Sequence, residues 1–370
     1  MRRTRGRGIE VDTLADFDRR LATGTSQMSA WQLHGLDLTE RSDDLRRVSV
    51  AGALFLGCRF AAGDEEWVQD HGAVVFPTVP GAPIDTYRTT LYSAAELYGD
   101  RGADQPIAYA ASFDARAYAW SRQPLSRDRA LAQVLHDHTI DQALATWVSQ
   151  RSLVGVMGGH GVKRGEAAYR DAARLGQALG QHWTVVTGGG PGAMEAANLG
   201  AYLSGESSTA LDDALTTLAR VPAYRPSVSA WAETAFALRE RWPTGRDSLG
   251  IPTWHYGHEP PNVFATAIAK YFRNATREAI LLEICDAGIV FLPGAAGTLQ
   301  EIFQDACENY YADESSLAPM VLLGSRYWTE ELPAWPLLRQ LADSTPLAGR
   351  IHLADTVEET VAALRRQPTG

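Results

Sequence analysis

A short strand, a glycine turn and a helix within residues 288–303 constrain the fold of this chain more than any other segment. The run Ile289–Leu292 is apolar and rich in β-branched and aromatic side chains, as is typical of a strand buried on both faces. Pro293-Gly294 ends the strand, and Gly297-Thr298 begins a helix whose apolar residues recur at helical spacing. Such a corner gathers free backbone N–H groups and the positive end of a helix dipole, so it favours the binding of a phosphate.

Glu301 is predicted to lie about one turn into this helix. A carboxylate there can stand beside an anion site without binding the anion itself. It can equally complement the helix dipole or cap the first turn. From the residues alone, both interpretations stay open.

From Leu153 onward, the chain alternates between predicted strands and helices. Strands are predicted at 153–157, 183–187, 249–252, 288–292 and 320–323, and helices at 165–179, from 193, and at 264–284. This alternation is typical of a parallel sheet with helices on both faces, whose ligands bind at the carboxyl ends of the strands. The predicted fold class is therefore α/β, a Rossmann-like doubly wound parallel sheet with an N-terminal α/β extension.

The length of 370 residues is enough for two domains. Residues 1–150 are predicted to be the N-terminal extension, with strands at 48–56 and 73–76 and helices at 87–98 and 126–148, and its role stays open. Residues 151–370 are predicted to form the Rossmann-like domain. The segment 204–248 interrupts the alternation. It is either a lid near the ligand edge or a purely structural insertion.

Composition excludes several classes of function. With 45% hydrophobic and 21% charged residues the chain is an ordinary globular protein, and its net charge of -10 argues against generic nucleic-acid binding. Cys58, Cys285 and Cys307 show no CxxC spacing, so they indicate neither a disulfide framework nor a zinc site. No apolar run reaches the roughly 20 residues of a membrane span, and the basic N-terminus lacks the apolar part of a secretory signal. We expect a cytoplasmic protein without a membrane or nucleic-acid partner.

Three glycine-rich turns fall at the predicted ligand edge, at 158–161, 188–192 and 294–297. The first lacks the G-x-G-x-x-G spacing of a dinucleotide site. Lys163 is followed by Arg164 rather than by Ser or Thr, so the phosphate-loop motif is also missing. An ordinary dehydrogenase and a phosphate-loop NTPase are therefore disfavoured. Three such turns, two of which lead directly into helices, are expected to aim backbone amides at one crevice.

Two of these segments carry a family resemblance. Residues 188–195, Gly-Gly-Gly-Pro-Gly-Ala-Met-Glu, and residues 293–301, Pro-Gly-Ala-Ala-Gly-Thr-Leu-Gln-Glu, resemble the paired signatures of the LOG ("lonely guy") family, once described as lysine decarboxylases. Together with Gly158-Gly159-His160, the first signature is nearest to the bacterial nucleotide 5′-monophosphate nucleosidase branch. The resemblance covers roughly residues 150–330. The second signature departs from the family pattern at Ala295, where a glycine is usual.

The resemblance implies an enzyme that hydrolyses the N-glycosidic bond of a nucleoside 5′-monophosphate and releases the free base and ribose 5-phosphate. It also implies a homodimer or higher homo-oligomer, and no metal or redox cofactor. By motif match Glu301 is the catalytic carboxylate and Arg277 the catalytic arginine. Arg273 is the fallback, because this chain has one additional residue before Pro293. The other implied site residues, which bind the phosphate or the rest of the nucleotide, are Gly158, Gly159, Gly189, Gly190, Gly192, Ala193, Met194, Glu195, Pro293, Gly294, Ala295, Ala296, Gly297 and Thr298.

These residue types suit the implied reaction. Glycoside cleavage develops positive charge on the ribose ring, which a fixed carboxylate stabilises while it orients the attacking water. An arginine beside the carboxylate holds it ionised. Glu195 either binds the ribose hydroxyls or is a capping or interface residue. At Ala295 a positive φ would cost about 1 kcal/mol, yet we expect the site to survive, since the other motif residues remain.

Other functions stay open. The main alternative is a non-catalytic nucleotide-binding or sensor protein on the same fold, with the N-terminal region as its output. Decarboxylation is disfavoured, because neither Lys163 nor Lys270 has the context of a Schiff-base lysine.

Histidines do not predict a metal site. His136 and His138 point to different faces of a helix that we expect to be solvated. His255, His258 and Glu259 either contribute to base recognition or are packed or surface residues.

Overall fold

The computed structural model describes residues 8–99, 107–255 and 259–365. The chain divides into two compact units. The first contains residues up to Thr90 together with Gln123–Ala143, and the second contains Leu91–Arg122 and the chain from Leu144.

The first unit is built on a four-stranded parallel sheet in which each strand pairs with the next in sequence. Its strands are β1 (Ile9–Val11), β2 (Trp31–His34), β3 (Leu54–Leu56) and β4 (Val74–Phe76), and its helices are α1 (Leu14–Ala22), α2 (Ser42–Arg47) and α3 (Asp64–Asp70). Apolar residues from its strands and helices, among them Leu33, Phe55 and Val68, are fully buried in its core. This confirms the α/β character of the N-terminal extension.

The second unit has a seven-stranded sheet in which every neighbouring pair is parallel. Its strands are β5 (Leu153–Met157), β6 (Thr184–Thr187), β7 (Ser248–Gly250), β8 (Ala267–Ile268), β9 (Gly288–Phe291), β10 (Met320–Leu323) and β11 (Ile351–Ala354). Their order is β11-β10-β9-β5-β6-β7-β8. The predicted Rossmann-like doubly wound sheet is confirmed.

The remaining helices precede, connect or follow these strands. They are α4 (Ala94–Tyr98), α5 (Phe113–Ser121), α6 (Arg127–Val148), α7 (Ala167–Leu179), α8 (Ala193–Tyr202), α9 (Ser208–Leu218), α10 (Val228–Arg241), α11 (Asn274–Glu283), α12 (Ala296–Tyr311), α13 (Ala334–Ala342) and α14 (Val357–Arg365). Helix α6 has residues in both units, and α9 and α10 form the segment predicted as an insertion. Within the described ranges, every helix is too short or too polar to cross a bilayer.

The strand order reverses between β5 and β9. From β5 the chain proceeds outward to β8, then returns to β9 on the other side of β5 and proceeds outward again. Met157 at the end of β5 is in register with Phe291 at the end of β9. The loops that follow these two strands therefore leave the sheet side by side and diverge, which opens a crevice at this switch point.

One predicted helix is wrong in its first half. Residues 264–284 were expected to be helical throughout, but the structure has β8 there and α11 begins at Asn274. The side-chain oxygen of Asn262 accepts hydrogen bonds from the amides of Phe264 and Ala265, at 3.1 and 3.0 Å, and so holds the backbone away from a helix. The apolar run that follows is buried on both faces, as a parallel strand requires.

Most of the other differences between the predicted and the observed elements involve short helices and strands. The predicted strand at 48–56 contracts to β3, and the predicted helix at 87–98 contracts to α4. Strands β1, β2 and β11 were not predicted, and the first two have only three and four residues.

Candidate functional site

A cleft of ≈ 380 Å³ lies at the carboxyl edge of the second unit's sheet. It is lined by Gly188, Gly190, Met194, Pro252, Thr253, Glu259 and Arg277. These residues come from the turn after β6, the start of α8, the segment after β7, and α11. The cleft thus lies at the edge of the sheet where the sequence predicted that a ligand binds.

The turn after β6 requires glycine at two positions. Gly189 and Gly192 have φ of +72° and +74°, a region that other residues rarely adopt. A Cβ at Gly192 would also lie 2.6 Å from the carbonyl oxygen of His160, so the turns after β5 and β6 are in direct contact. The amide of Ala193 donates to the carbonyl of Gly159 at 3.1 Å. This bond occupies one of the amides that the resemblance assigned to the ligand.

A buried network of polar side chains holds the turn after β6 in place. Thr187 Oγ1 donates to Asn198 Oδ1 at 2.7 Å, and Asn262 Nδ2 donates to the same oxygen at 2.9 Å and to the carbonyl of Gly190 at 3.2 Å. The amide of Gly189 donates to Thr187 Oγ1 at 2.9 Å. All three polar side chains are fully buried. Sequence reasoning missed Asn198 and Asn262, because they are far apart in the chain and belong to no motif.

The corner between β9 and α12 presents its amides outward. Gly294 packs so closely on Thr298 that a Cβ there would collide with the threonine side chain. The hydroxyl of Tyr327 donates to the carbonyl of Gly294 at 2.7 Å and so fixes the loop. In the described part of the chain, no group from outside α12 caps the amides of residues 295–298. The corner keeps the free donors that an anion site needs.

Ala295 adopts φ −102° and ψ −144°. Because φ is negative, the methyl group introduces no left-handed strain, and the side chain is exposed rather than wedged into the loop. We expect Ala295→Gly to change the affinity for nucleoside 5′-monophosphates by less than about threefold, since at most a few tenths of a kcal/mol of chain entropy are involved. Isothermal titration of both proteins measures this. A large gain in affinity in the glycine variant would contradict an intact natural loop.

Arg277 and Glu301 are brought together by two different helices. Arg277 lies on α11 and lines the cleft, and Glu301 lies early in α12. Arg277 Nη1 is 3.9 Å from Glu301 Oε1, an ion-pair distance too long for a hydrogen bond. The side chains are 14% and 16% exposed. The carboxylate is thus close to the arginine but is not hydrogen-bonded to it. Arg273 instead stands at the N-terminus of α11 and is exposed.

Burial raises the pKa of Glu301 from 4.5 to about 7. The guanidinium of Arg277 acts against this rise, and the carboxylate of Glu278 adds to it. The group therefore changes charge near neutral pH. A carboxyl with such a shift, next to an arginine that lines a cleft, is typical of a functional site.

A chain of side-chain hydrogen bonds positions Arg277. Its Nη2 donates to Asn274 Oδ1 at 3.1 Å, and Asn274 Nδ2 donates to Glu278 Oε1 at 2.6 Å. Gln300 Nε2 then donates to Glu278 Oε2 at 2.7 Å. The chain links α11 to the residue beside Glu301. Sequence reasoning missed Asn274, Glu278 and Gln300, because no motif marked them.

Glu195 is enclosed in the protein. Its side chain is 1% exposed, and both carboxylate oxygens accept from Arg164, with the Oε2 contact at 3.0 Å. Arg164 also donates to the carbonyl of Trp231 at 3.0 Å and stacks on its ring at 4.6 Å. The structure therefore does not place Glu195 at the cleft, and a contact with ribose hydroxyls has no support in it.

Some of the remaining predicted site residues line the cleft, and others lie next to it. Gly190 and Met194 line the cleft with Arg277. Gly158 and Gly159 instead support it from the turn after β5, since a Cβ at Gly158 would lie 3.0 Å from the Cβ atoms of both Ala193 and Leu292. Pro293 is exposed at the loop.

No metal centre forms among the residues that the structure describes. His136 was expected on a solvated helix, but it is fully buried, with Nδ1 at 3.2 Å from Asp137 Oδ1. That expectation is wrong, because the face of α6 that carries His136 is buried in the interior of the protein. His258 lies outside the described residues. Lys270 is 1% exposed and its Nζ is 2.5 Å from Asp114 Oδ1. Burial lowers its pKa, and the ion pair opposes that change.

The sequence comparison bears on the same part of the chain. Residues 151–208, which carry the turns after β5 and β6, match the model of the SLOG cluster4 family. This segment is LOG-like. The resemblance to the LOG family is thus confirmed. None of the curated proteins compared with the chain matches it.

Two solved structures are similar to part of this chain. The molybdenum cofactor binding protein from Rippkaea orientalis is 16% identical with a TM-score of 0.38, and the match covers 58% of this chain and 96% of that protein. The molybdenum cofactor carrier protein from Chlamydomonas reinhardtii is 19% identical with a TM-score of 0.37, and the match covers 58% of this chain and 97% of that protein. At these scores neither likeness carries an argument about function.

Proposed function

We propose that this protein is a hydrolase of nucleoside 5′-monophosphates that cleaves the N-glycosidic bond and releases the base and ribose 5-phosphate. The observation that carries the proposal is the pair Arg277 and Glu301, 3.9 Å apart, with Arg277 lining the cleft. Glu301 also lies one turn from the uncapped amides of the β9–α12 corner. The proposed anion seat and the proposed catalytic carboxylate are thus on the same helix.

The corner is proposed to hold the 5′-phosphate. The amides of residues 295–298 and the dipole of the 16-residue helix α12 favour an anion there. Thr298 supplies a hydroxyl in the same first turn. With the phosphate seated at the corner, the ribose extends past Glu301 towards the cleft.

Glu301 is proposed to act in its ionised form on the ribose. As the bond from C1′ to the base nitrogen breaks, its electron pair leaves with the base and positive charge develops on the ring. The carboxylate stabilises that charge and accepts a proton from the water that attacks C1′. Solvent returns a proton to the departing base. The charge of Arg277, 3.9 Å away, favours the ionised carboxylate.

The test is release of free base from a panel of nucleoside 5′-monophosphates, measured by chromatography. Glu301→Gln is expected to reduce the rate by at least about 100-fold, since the amide neither carries the charge nor accepts the proton. Glu308→Gln, on the exposed face of the same helix, is the matched control and is expected to retain the rate.

Nucleotide binding without base release, unchanged by Glu301→Gln, would contradict the hydrolase and support the non-catalytic sensor. The homo-oligomer and the cytoplasmic location stay predictions.

A further inference from the structure

Glu259 places a second carboxylate in the cleft, apart from the reaction centre. Its Oε2 lies 3.4 Å from the position that a Cβ on Gly190 would take, and Met194 Cε lies 2.9 Å from the same position. The exposed His160 has its Nδ1 3.7 Å from Oε1. No hydrogen bond to Glu259 is found in the ranges that the structure describes. Among those residues, the two oxygens therefore have no hydrogen-bond donor.

The contacts of Glu259 place it beside the turns after β6 and β5, since it adjoins Gly190 and His160. The phosphate corner follows β9, the direct neighbour of β5 in the sheet. Neighbouring strands are about 4.8 Å apart, so the carboxylate is one to two strands, or roughly 5–10 Å, from the corner. A carboxylate repels a phosphate, which also excludes Glu259 from the anion seat. A nucleotide bound by its phosphate at the corner would reach Glu259 with its base.

Arg277 connects Glu259 to the proposed reaction centre. A Cβ on Gly188 would lie 3.6 Å from Arg277 Nη1, whereas one on Gly190 would lie 3.4 Å from Glu259 Oε2. The arginine and the glutamate therefore border the same turn two residues apart, and both line the same cleft. A base attached to a ribose held at Arg277 and Glu301 would enter that cleft.

We propose that Glu259 makes the site selective for a base that presents two adjacent N–H donors, as guanine does with its ring N1–H and its 2-amino group. The proposal rests on the proposed nucleotide site. A carboxylate accepts both hydrogens in a bidentate contact. Hypoxanthine offers one of the two donors. Adenine offers an amino group beside a ring acceptor, and that acceptor would face a carboxylate oxygen.

Binding of GMP, IMP and AMP to the full-length Glu301→Gln protein, measured by isothermal titration, tests this without consuming the ligand. GMP is expected to bind about 10- to 100-fold more tightly than IMP, because one charged hydrogen bond is lost, and AMP is expected to bind more weakly still. Adding Glu259→Gln is expected to weaken GMP at least about tenfold and to strengthen AMP, since a carboxamide donates to the ring acceptor and accepts from the amino group.

Equal loss for all three ligands on Glu259→Gln would overturn the proposal, as would AMP binding as tightly as GMP before that change. If the double variant does not fold, the affinity of 1-methyl-GMP is compared with that of GMP on the Glu301→Gln protein. Loss of at least about tenfold relative to GMP supports the contact, and equal affinity overturns it. Base release by the parent protein without a guanine preference would refute only this proposal. A guanine preference without base release by the parent would refute only the hydrolase.

Discussion

Replacing Glu301 with glutamine is expected to raise the free energy of unfolding by up to about 3 kcal/mol at pH 8, and to leave it nearly unchanged at pH 4. Burial raises the pKa of this carboxyl from 4.5 to about 7, and each pKa unit corresponds to about 1.4 kcal/mol. Between those two values the folded protein retains a proton that the unfolded chain has released. The stability contributed by Glu301 therefore falls as pH rises through this window. Glutamine, which has no charge to bury, does not incur this loss.

Urea unfolding at pH 4 and at pH 8 measures the two differences. Glu358→Gln, at an exposed position on α14, is the control, and it is expected to stay within about 0.5 kcal/mol of the parent at both values. A gain of equal size at both pH values would mean that packing rather than ionisation accounts for the effect. Combined with the loss of base release, a pH-dependent gain would show that the carboxylate is retained at the expense of stability, as is common in active sites.

Arg164→Met is expected to destabilise the second unit by about 3–5 kcal/mol, because it leaves the buried carboxylate of Glu195 without its partner. The change also removes the hydrogen bond from Arg164 to the carbonyl of Trp231. The pair therefore contributes to the structure beneath α8 rather than to chemistry in the cleft. A double change, Arg164→Met with Glu195→Leu, is expected to recover much of the loss, since no buried charge remains.

Arg174→Met is the matched control for this series. Arg174 pairs with Asp212 at 3.6 Å, but both side chains are more than half exposed, so its loss is expected to cost less than about 0.5 kcal/mol. Denaturant midpoints for the four proteins measure the comparison. If Arg164→Met behaves like Arg174→Met, or if the double variant is no better than the single one, the uncompensated charge is not the cause.

The central strands of the second unit were predictable because their apolar runs are continuous and glycine turns follow them. Strands β5 and β10 agree with the prediction in both bounds. The same rule failed before α11, because a buried apolar run fits either a helix or a strand and a distant side chain, Asn262, decides between them. The sheet of the first unit has strands of three or four residues, too short for a periodic signal.

The candidate site, too, was predictable from the sequence only in part. Arg277 and Glu301 were found by motif, and the structure brings them to 3.9 Å. Residues that position them, such as Asn274, belong to no motif. The enclosure of Glu195 depends on Arg164, 31 positions earlier, and a local pattern does not report a long-range pairing.

The hydrogen bond from the amide of Ala193 to the carbonyl of Gly159 joins the turns after β5 and β6 through main-chain atoms alone. Because the bond uses no side chain, most substitutions at these two positions leave its donor and acceptor in place, and the two turns move as one piece. Of the residues that line the cleft, Pro252, Thr253 and Glu259 follow β7 and lie outside these two turns. Under the proposed function, we expect substitutions at those three positions to change ligand selectivity without disturbing this bond.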